Sequence, residues 1–135
     1  TDYTEAWPQY SHAEGNHSKT QAGADASHAE GYYTQTYGKF SHAEGYQTIA
    51  YGAGSHAGGL WTIASGSSAP GDDPPTFAQT AYGQYNKRNN TTSLFVVGDG
   101  TGDSDALRHD VLRVESGSVQ VTGSLISPQI TGSIQ

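Results

Sequence analysis

The sequence predicts an all-β protein in which a parallel β-solenoid is followed by a small strand-and-hairpin module. The first observation is a repeated pattern, Ser-His-Ala-Glu-Gly, whose later copies start 14 residues apart. The second is that Gly recurs at fixed places in every unit, and the third is that large apolar residues are scarce. A repeat this short and rich in Gly, Ser and Thr is typical of stacked β-strand coils, because helical repeats need about 30 to 50 residues and good helix formers.

Four copies of the pattern define the repeat, at residues 11–15, 27–31, 41–45 and 55–59, and the last has Gly58 in place of Glu. In each unit Ser, Ala and Gly alternate, and after a break Thr, Ala and Gly alternate again. Each unit is therefore predicted to hold two short strands and two turns. The first unit has 16 residues. Aligning Thr20 with Thr34 places its two extra residues in the turn at 16–19.

Alternation also predicts which side chains face inward. Ser41, Ala43 and Gly45 share one face of their strand, and such small residues are expected to fill a narrow interior. The His and Glu of each copy then share the other face, where coils about 4.8 Å apart stack like residue on like residue. The predicted structural ladder consists of His12, Glu14, His28, Glu30, His42, Glu44 and His56.

The ladder has two chemical interpretations. In a structural network, each imidazole donates a hydrogen bond or a positive charge to a carboxylate and so relieves the repulsion between stacked Glu residues. In a metal site, imidazole nitrogens would be ligands and Glu would complete the set. The metal candidates are His12, His28, His42 and His56. The structural interpretation is preferred, because a repeat imposes identity at every coil, and we expect no metal and no other cofactor.

The composition predicts self-association. Leu, Ile, Val and Phe together number 19 of 135 residues, and the net charge is −7. These values alone would indicate disorder, but a stacked solenoid satisfies its backbone through hydrogen bonds between coils. Because one narrow coil buries little apolar surface, we expect a homotrimer. The unvarying face that carries His42 and Glu44 is predicted to line the trimer axis.

Composition and motifs also exclude several classes of protein. With 13 acidic and 6 basic residues there is no basic patch for nucleic acid. No apolar run approaches the roughly 20 residues of a membrane span, and there is no Cys for disulfides. Neighbouring Ser and His on a strand point to opposite faces, so they form no catalytic triad and we expect no enzyme. The chain starts without Met, so it is expected to be a piece of a longer protein.

The remaining segments are placed around the repeats. Residues 1–10 are an aromatic lead-in, 11–83 are the solenoid repeats with a loop insertion at 67–76, and 84–135 are the β module and the start of a further repeat. Within the last coil, Ala81-Tyr82-Gly83 is interpreted as a return of Ala50-Tyr51-Gly52. The module is predicted to contain a buried strand at 94–97 and further strands at 111–115 and 119–122.

Three further groups are candidates for contact with a ligand. The loop insertion cannot continue a strand, so it is predicted to project. It is either a plain excursion or a contact loop, and the plain excursion is preferred. Recurring aromatic residues either pack from coil to coil or stack on sugars, and the first is preferred. Asp99, Asp103 and Asp105 either hold Ca²⁺ or form a solvated turn, and the turn is preferred because the EF-hand spacing is missing. The loop residues are Pro70, Asp72, Asp73, Pro74 and Pro75, and the aromatic residues are Tyr32, Tyr37, Tyr46, Tyr51, Tyr82 and Trp61.

The repeats resemble a known group of proteins. Copies of Ser-His-Ala-Glu-Gly with Thr-x-Ala-x-Gly between them are similar to the head repeats of trimeric autotransporter adhesins. They are closer to relatives of that repeat in bacteriophage tail and fibre proteins, where such units precede two further segments. Those segments resemble Leu94-Phe95-Val96-Val97-Gly98-Asp99-Gly100-Thr101 and Leu112-Arg113-Val114.

The resemblance implies a homotrimeric, left-handed parallel β-roll or β-helix at a virion or cell surface. The implied role is a structural segment of a phage tail or head fibre, acting as a rigid spacer or attachment element beside other virion proteins. The alternative is an adhesin or receptor-binding module that recognises a host glycan or protein on a bacterial surface. Gly58 and the Pro-rich insertion depart from the pattern of the group, and the pattern is more specific for fold than for function.

Overall fold

The computed structural model describes residues 3–66, 78–88 and 91–124. Every regular element within these ranges is a β-strand, so the described part of the chain offers no helix that could cross a membrane. The predicted all-β parallel solenoid is confirmed, with about six turns. The strands are β1 (Glu5–Ala6), β2 (His12–Asn16), β3 (Lys19–Thr20), β4 (His28–Tyr32), β5 (Gln35–Thr36), β6 (His42–Tyr46), β7 (Ile49–Ala50), β8 (His56–Leu60), β9 (Ile63–Ala64), β10 (Thr80–Gln84), β11 (Ser93–Asp99), β12 (Asp110–Glu115) and β13 (Ser118–Val121).

Each repeat contributes one five-residue strand and one two-residue strand, and like strands pair in parallel. The short strands form a five-stranded sheet in the order β1-β3-β5-β7-β9, which we call the short sheet. The longer strands form an eight-stranded sheet in which β2, β4, β6, β8, β10 and β11 follow one another, and we call it the long sheet. The antiparallel pair β12 and β13 closes the long sheet beyond β11. Repeating one unit thus extends both sheets by one strand.

The interior between the sheets holds only small side chains, as the repeat predicts. Seven fully buried residues stack from coil to coil. Ser and Thr share this interior, and most of their hydroxyl groups are hydrogen-bonded, although the Ser55 hydroxyl has no partner among the described residues. The Oγ of Ser27 lies 2.9 Å from the Oγ1 of Thr36, and the Thr48 hydroxyl donates to the Glu44 carbonyl at 3.1 Å. The interior is therefore close-packed and polar without unmet hydrogen bonds at these positions. The stacked residues are Ala29, Ala43, Ala57, Ala81, Val96, Ala50 and Ala64.

Gly45 shows why the coils need glycine. Its φ is 103°, and a Cβ atom there would lie 2.3 Å from the carbonyl oxygen of Gly59 in the next coil. The positive φ turns the chain, so Gly45 is exposed and does not face inward with Ser41 and Ala43. The prediction that these three residues share an inner face is wrong for the glycine. The equivalent residues Gly15, Gly31, Gly59 and Gly83 stand against the next coil in the same way.

In the structure, the two extra residues of the first unit lie in a different turn from the predicted one. Thr20 pairs with Thr36, not with Thr34, and Asn16 pairs with Tyr32 without a gap. The first strand and the first turn of this unit therefore have the standard length. The additional residues lie in the second turn, within 21–26.

The fifth long strand was also assigned to the wrong position in the repeat. Ala81 pairs with Ala57 in the long sheet, so Ala81-Tyr82-Gly83 stacks on Ala57-Gly58-Gly59. It does not repeat Ala50-Tyr51-Gly52, although the letters match. The choice is made by the sheet in which the strand pairs, which a three-residue match cannot specify.

The three C-terminal strands continue the long sheet past the predicted boundary at residue 84. β11 pairs in parallel with β10 over its central residues, so it forms a further turn of the solenoid. The strands predicted at 94–97, 111–115 and 119–122 are present with shifted ends. Of the four residues predicted as a buried strand at 94–97, only Val96 is fully buried, and Leu94 is 46% exposed because alternate side chains of this strand face outward.

Two buried amides satisfy the last strand of the short sheet. The side chain of Asn86 accepts from the Ile63 N–H at 2.7 Å and donates to the Ile63 carbonyl at 2.8 Å. The side chain of Gln79 accepts from the Ser65 N–H at 2.8 Å and donates to the Ser93 carbonyl at 2.8 Å. These amides make the hydrogen bonds that a neighbouring strand would make.

At the N-terminal end, the lead-in supplies the first strand of the short sheet. Glu5 pairs with Lys19 in the β1–β3 ladder, and its carboxylate accepts from the Trp7 indole N–H at 2.7 Å. The predicted contact loop at 67–76, with Pro70, Asp72, Asp73, Pro74 and Pro75, lies outside the described residues. So does the repeat expected after residue 124.

Candidate functional site

The His and Glu residues of the repeat form a continuous ladder on the outer face of the long sheet. The histidines of neighbouring strands are paired in register. Their rings are nearly parallel, with centroids 4.8 Å apart for His12 and His28 and for His28 and His42, and 4.6 Å for His42 and His56. The structure thus brings all four predicted imidazoles into one stack, because alternation sends the small residues inward.

The carboxylates stand beside this stack, and Glu30 lies between two imidazoles. One of its oxygens is 3.8 Å from the Nε2 of His28, and the other is 3.8 Å from the Nε2 of His42. Glu14 approaches the Nε2 of His28 at 3.8 Å from the preceding coil. These distances are too long for hydrogen bonds.

Crowding of like groups perturbs two ladder residues. The Glu14 carboxyl group, followed by burial, raises the pKa of Glu30 above its ordinary value. Burial, followed by the neighbouring imidazoles of His56 and His28, lowers the pKa of His42. Both shifts favour the neutral form, because burial disfavours a charged group and stacked groups of one charge repel each other. A neutral imidazole is also the form that accepts a metal ion.

Tyr82 closes the C-terminal end of the ladder. Gly58 replaces the fourth Glu, and a Cβ atom there would lie 2.4 Å from the Tyr82 ring, so the ring occupies the space that a Glu side chain would need. The Tyr82 hydroxyl lies 3.3 Å from Glu44 and 3.2 Å from the Nε2 of His56, which is itself 3.3 Å from Glu44. The departure from the repeat at Gly58 thus belongs to a hydrogen-bonded cluster.

The centre of the ladder lacks such a closing group. The Nε2 atoms of His28 and His42 are shielded from solvent and have no hydrogen-bond partner among the described residues. Together with Glu30 they form a group whose ligand atoms all lie within 4.8 Å of one another, the one such group that residues 3–66, 78–88 and 91–124 contain. His12, at the end of the stack, is exposed and lies outside this group.

A second surface lies on the outer face of the short sheet. Side chains from the short strands and adjoining turns line a groove of about 390 Å³, which we call the short-sheet groove. Ile49 and Ile63 form its floor, and Arg88, Asp103 and Arg108 stand at one end. The lining residues are Tyr33, Gln35, Gln47, Ile49, Tyr51, Trp61, Ile63, Ser65, Arg88, Asp103 and Arg108.

The recurring aromatic residues pack from coil to coil. Tyr32 stacks on Tyr46 with ring centroids 5.0 Å apart, and Tyr37 stacks on Tyr51 at 4.7 Å. Tyr32 and Tyr46 remain 40% and 43% exposed. Trp61 lies 6.0 Å from Tyr85 and belongs to the short-sheet groove.

The Asp-rich loop forms ion pairs. Asp103 accepts from Arg108 at 2.5 Å and from Arg88 at 2.6 Å, and Asp105 lies 3.4 Å from Arg88. Asp99 contacts the His109 ring. The preferred interpretation of a solvated turn is incomplete, because two of the three carboxylates have guanidinium partners, and the Arg108 side chain is only 1% exposed.

Several functional features had no clear signal in the sequence. Arg108 donates to the Trp61 and Asn86 carbonyls and so ties the Asp-rich loop to the last coil, yet it is a single Arg in no motif. Tyr82 had an indirect signal, since Gly58 breaks the Glu pattern one coil before it. Comparisons with family models, curated proteins and solved structures give no match for this chain.

Proposed function

We propose that this chain is a structural segment of a homotrimeric surface fibre, and that it belongs to a bacteriophage tail or head fibre. In this role it acts as a rigid spacer or attachment element beside other virion proteins and carries out no catalysis. The observation that carries the proposal is the contrast between the interior of the solenoid and its short-sheet groove. The interior is closely packed with small side chains, whereas Ile49, Tyr51 and Trp61 line the short-sheet groove and are partly exposed among the described residues.

Three copies packed on this groove would cover it. Burying Ile and aromatic surface between chains is favourable at about 25 cal/mol per Å², whereas three Glu ladders brought together on an axis would have to lose much of their hydration. We therefore place the trimer axis against the short sheet. The sequence-based alternative, with His42 and Glu44 on the axis, remains a prediction that the same experiment tests.

The phage assignment and the left-handed winding rest on the resemblance described above. The resemblance has two parts, which are the Ser-His-Ala-Glu-Gly units and the segment from Leu94 to Thr101. In the structure the strands of both parts follow one another in parallel in the long sheet, since β11 pairs with β10. A single uninterrupted rod is what a fibre spacer needs. This continuity supports the fibre interpretation over two independent domains joined by a linker.

A second candidate function is a binding module for a host glycan or protein. The observation that favours it is the exposed stack of Tyr32 and Tyr46, since aromatic faces in a row can stack on sugar rings. Glycan-array binding that is lost in Tyr46→Ala and retained in Tyr51→Ala would favour this candidate. A rod without any glycan binding leaves the spacer role.

Sedimentation equilibrium at micromolar concentration tests the homotrimer. The unaltered chain is expected to have three times the mass of one chain, and Ile49→Lys in the short-sheet groove is expected to dissociate it. His42→Lys, at a strand position on the opposite face, is the matched control and should leave the mass unchanged. The reverse pattern would place the axis at the ladder, and a folded monomer would contradict the proposal.

Position on the virion needs a separate measurement. Gold-labelled antibodies against this segment, imaged on intact phage particles, should decorate a fibre. Labelling confined to bacterial cell surfaces would favour the adhesin.

A further inference from the structure

We propose that His28, Glu30 and His42 bind a divalent transition-metal ion of the Zn²⁺ class at the centre of the ladder. The inference goes beyond the fibre role and does not depend on it. It is based on the positions of three donor atoms, on the shielding of two of them, and on the contrast with the two ends of the same ladder.

The donor atoms already lie near the spacing that a metal ion requires. Glu30 directs one oxygen to the Nε2 of His28 and the other to the Nε2 of His42, both at 3.8 Å. Ligands of tetrahedral Zn²⁺ are about 3.3 Å apart, as metal–ligand distances near 2.0 to 2.1 Å require. The three donor atoms here all lie within 4.8 Å of one another, so the stacked rings of His28 and His42 must rotate toward Glu30 for all three donors to reach one ion.

The two nitrogens have nothing else to bind in the described structure. Both Nε2 atoms are shielded from solvent although about a third of each side chain is exposed, and no hydrogen-bond partner meets either of them among the described residues. A shielded imidazole nitrogen without a partner is costly, and its lone pair is a good metal ligand.

The ends of the ladder differ in ways that restrict the ion to one place. At the C-terminal end, the Nε2 of His56 already has partners in Glu44 and the Tyr82 hydroxyl. At the N-terminal end, His12 is exposed and belongs to no group of three ligands. The chemistry predicts one ion per chain, although the sequence repeats the ligand pattern more than once.

The donor set also indicates the class of metal. Two imidazoles and one carboxylate suit Zn²⁺, Ni²⁺ or Cu²⁺, whereas Ca²⁺ and Mg²⁺ require more oxygen ligands. Three protein ligands leave one tetrahedral position for water or for a group on another molecule. Glu14, 3.8 Å from His28, adds a second carboxylate that partly neutralises the charge of the ion.

Calorimetric titration of the folded chain with ZnCl₂ tests this site. We expect one Zn²⁺ per chain. His28→Asn, His42→Asn and Glu30→Gln should each weaken binding by at least about tenfold, because mutating a residue that only hydrogen-bonds to a metal ligand already lowers metal affinity by about that factor. His17→Asn is the matched control, because it removes an imidazole outside the ladder, and it should leave the affinity unchanged. Circular dichroism of each variant verifies folding.

Co²⁺ provides a readout that a purely structural ladder would not give. Bound in place of Zn²⁺, it should show the visible absorption of a four-coordinate site, which Zn²⁺ should displace and which Glu30→Gln should change. If a His variant fails to fold, Glu30→Gln and this spectrum still test the proposal. The site is refuted if Zn²⁺ does not bind, or if binding survives in the His28→Asn, His42→Asn double variant.

Discussion

Gly45 and the equivalent glycines set the distance between coils at the scale of single atoms. Each lies against a glycine of the next coil so closely that the place of its missing Cβ atom is 2.1 to 2.3 Å from a carbonyl oxygen at Gly15, Gly31, Gly45, Gly59 and Gly83. A second left-handed corner, at Gly54, has open space around it, with only the Ala78 Cβ at 3.4 Å. Contact with the next coil therefore requires a glycine at residue 45, whereas no such contact requires one at residue 54.

Gly45→Ala should destabilise the fold strongly, and Gly54→Ala should not. At residue 45 the new methyl group meets the backbone of Gly59 and the φ of 103° is unfavourable, so we expect a loss of about 2 kcal/mol or more. At residue 54 the φ is 67°, close to the 53° at which Ala26 sits in an earlier turn. We expect a loss of about 1 kcal/mol or less there. Urea denaturation measures both, and equal losses would show that packing between coils is not the cause.

Asp103 should make stability depend on acidity. Burial alone would raise its pKa, but hydrogen bonds from Arg108 and then Arg88 outweigh burial and hold the pKa below the ordinary 3.8. Because the pKa is lower in the folded state, the carboxylate stabilises the fold at neutral pH. That contribution is lost as the pH falls below about 4 and through the lowered pKa.

Asp103→Asn should therefore lower the free energy of unfolding at pH 7 by about 1 kcal/mol or less, since the side chain is 43% exposed and solvent screens the pair. The difference from the unaltered chain should shrink as the pH falls below about 4. Asp105→Asn is the control, because that carboxylate is 84% exposed and has one guanidinium contact. A difference that stays constant down to pH 2 would contradict the ion-pair explanation.

At the scale of strands, the repeat correctly predicted which strands stack on one another, but it gave the wrong alignment at two positions. The stacking of His on His and Ala on Ala could be read from the period alone, because parallel coils of equal length align like residues. The alignment of Thr20 was wrong because the two extra residues lie in the second turn of the first unit. The alignment of Ala81 was wrong because a match of three residues does not specify the sheet in which a strand pairs. The roles of Gln79 and Asn86 could not be predicted, since a buried amide that completes a strand has no sequence pattern.

The amide of Asn86 should be essential for the last short strand. Asn86→Ala leaves the N–H and the carbonyl of Ile63 without their partners in the buried edge, and we expect a loss of about 2 to 4 kcal/mol. Hydrogen exchange of the Ile63 amide should accelerate in the variant. Gln84→Ala is the control, because Gln84 donates one hydrogen bond, to the Gly100 carbonyl, at a less buried position. Unchanged protection of the Ile63 amide would show that Asn86 does not hold this strand.

For the whole molecule, the uniform pairing predicts that units can be removed. Deleting residues 41–54 joins Phe40 to Ser55 and keeps every remaining strand in register with its neighbour, since the deleted segment is one full period. The shortened chain should fold, with a rod about 4.8 Å shorter by small-angle X-ray scattering. Deleting residues 41–47 is the control. It removes half a period and should prevent folding, and a folded product would contradict the account of the register.

The all-β parallel solenoid could be predicted because period and alternation agree on it, although the composition alone would indicate disorder. The candidate metal site could be predicted only as one of several interpretations, since the sequence shows the same His and Glu at each coil. Gly58, Tyr82 and the exposure of His12 distinguish the coils from one another, and these differences appear only when the strands are stacked.

The stacking of equal coils also has a mechanical consequence. Hydrogen bonds between neighbouring coils run along the rod, so a pull on the two ends of the chain loads every coil, and a coil at an end, which has a neighbour on one side only, should detach first. The rod should therefore yield in discrete events, each freeing one 14-residue unit and about 40 to 45 Å of chain. If the chain forms the proposed fibre, unfolding of one coil would dissipate a sudden load while the remaining coils stay folded.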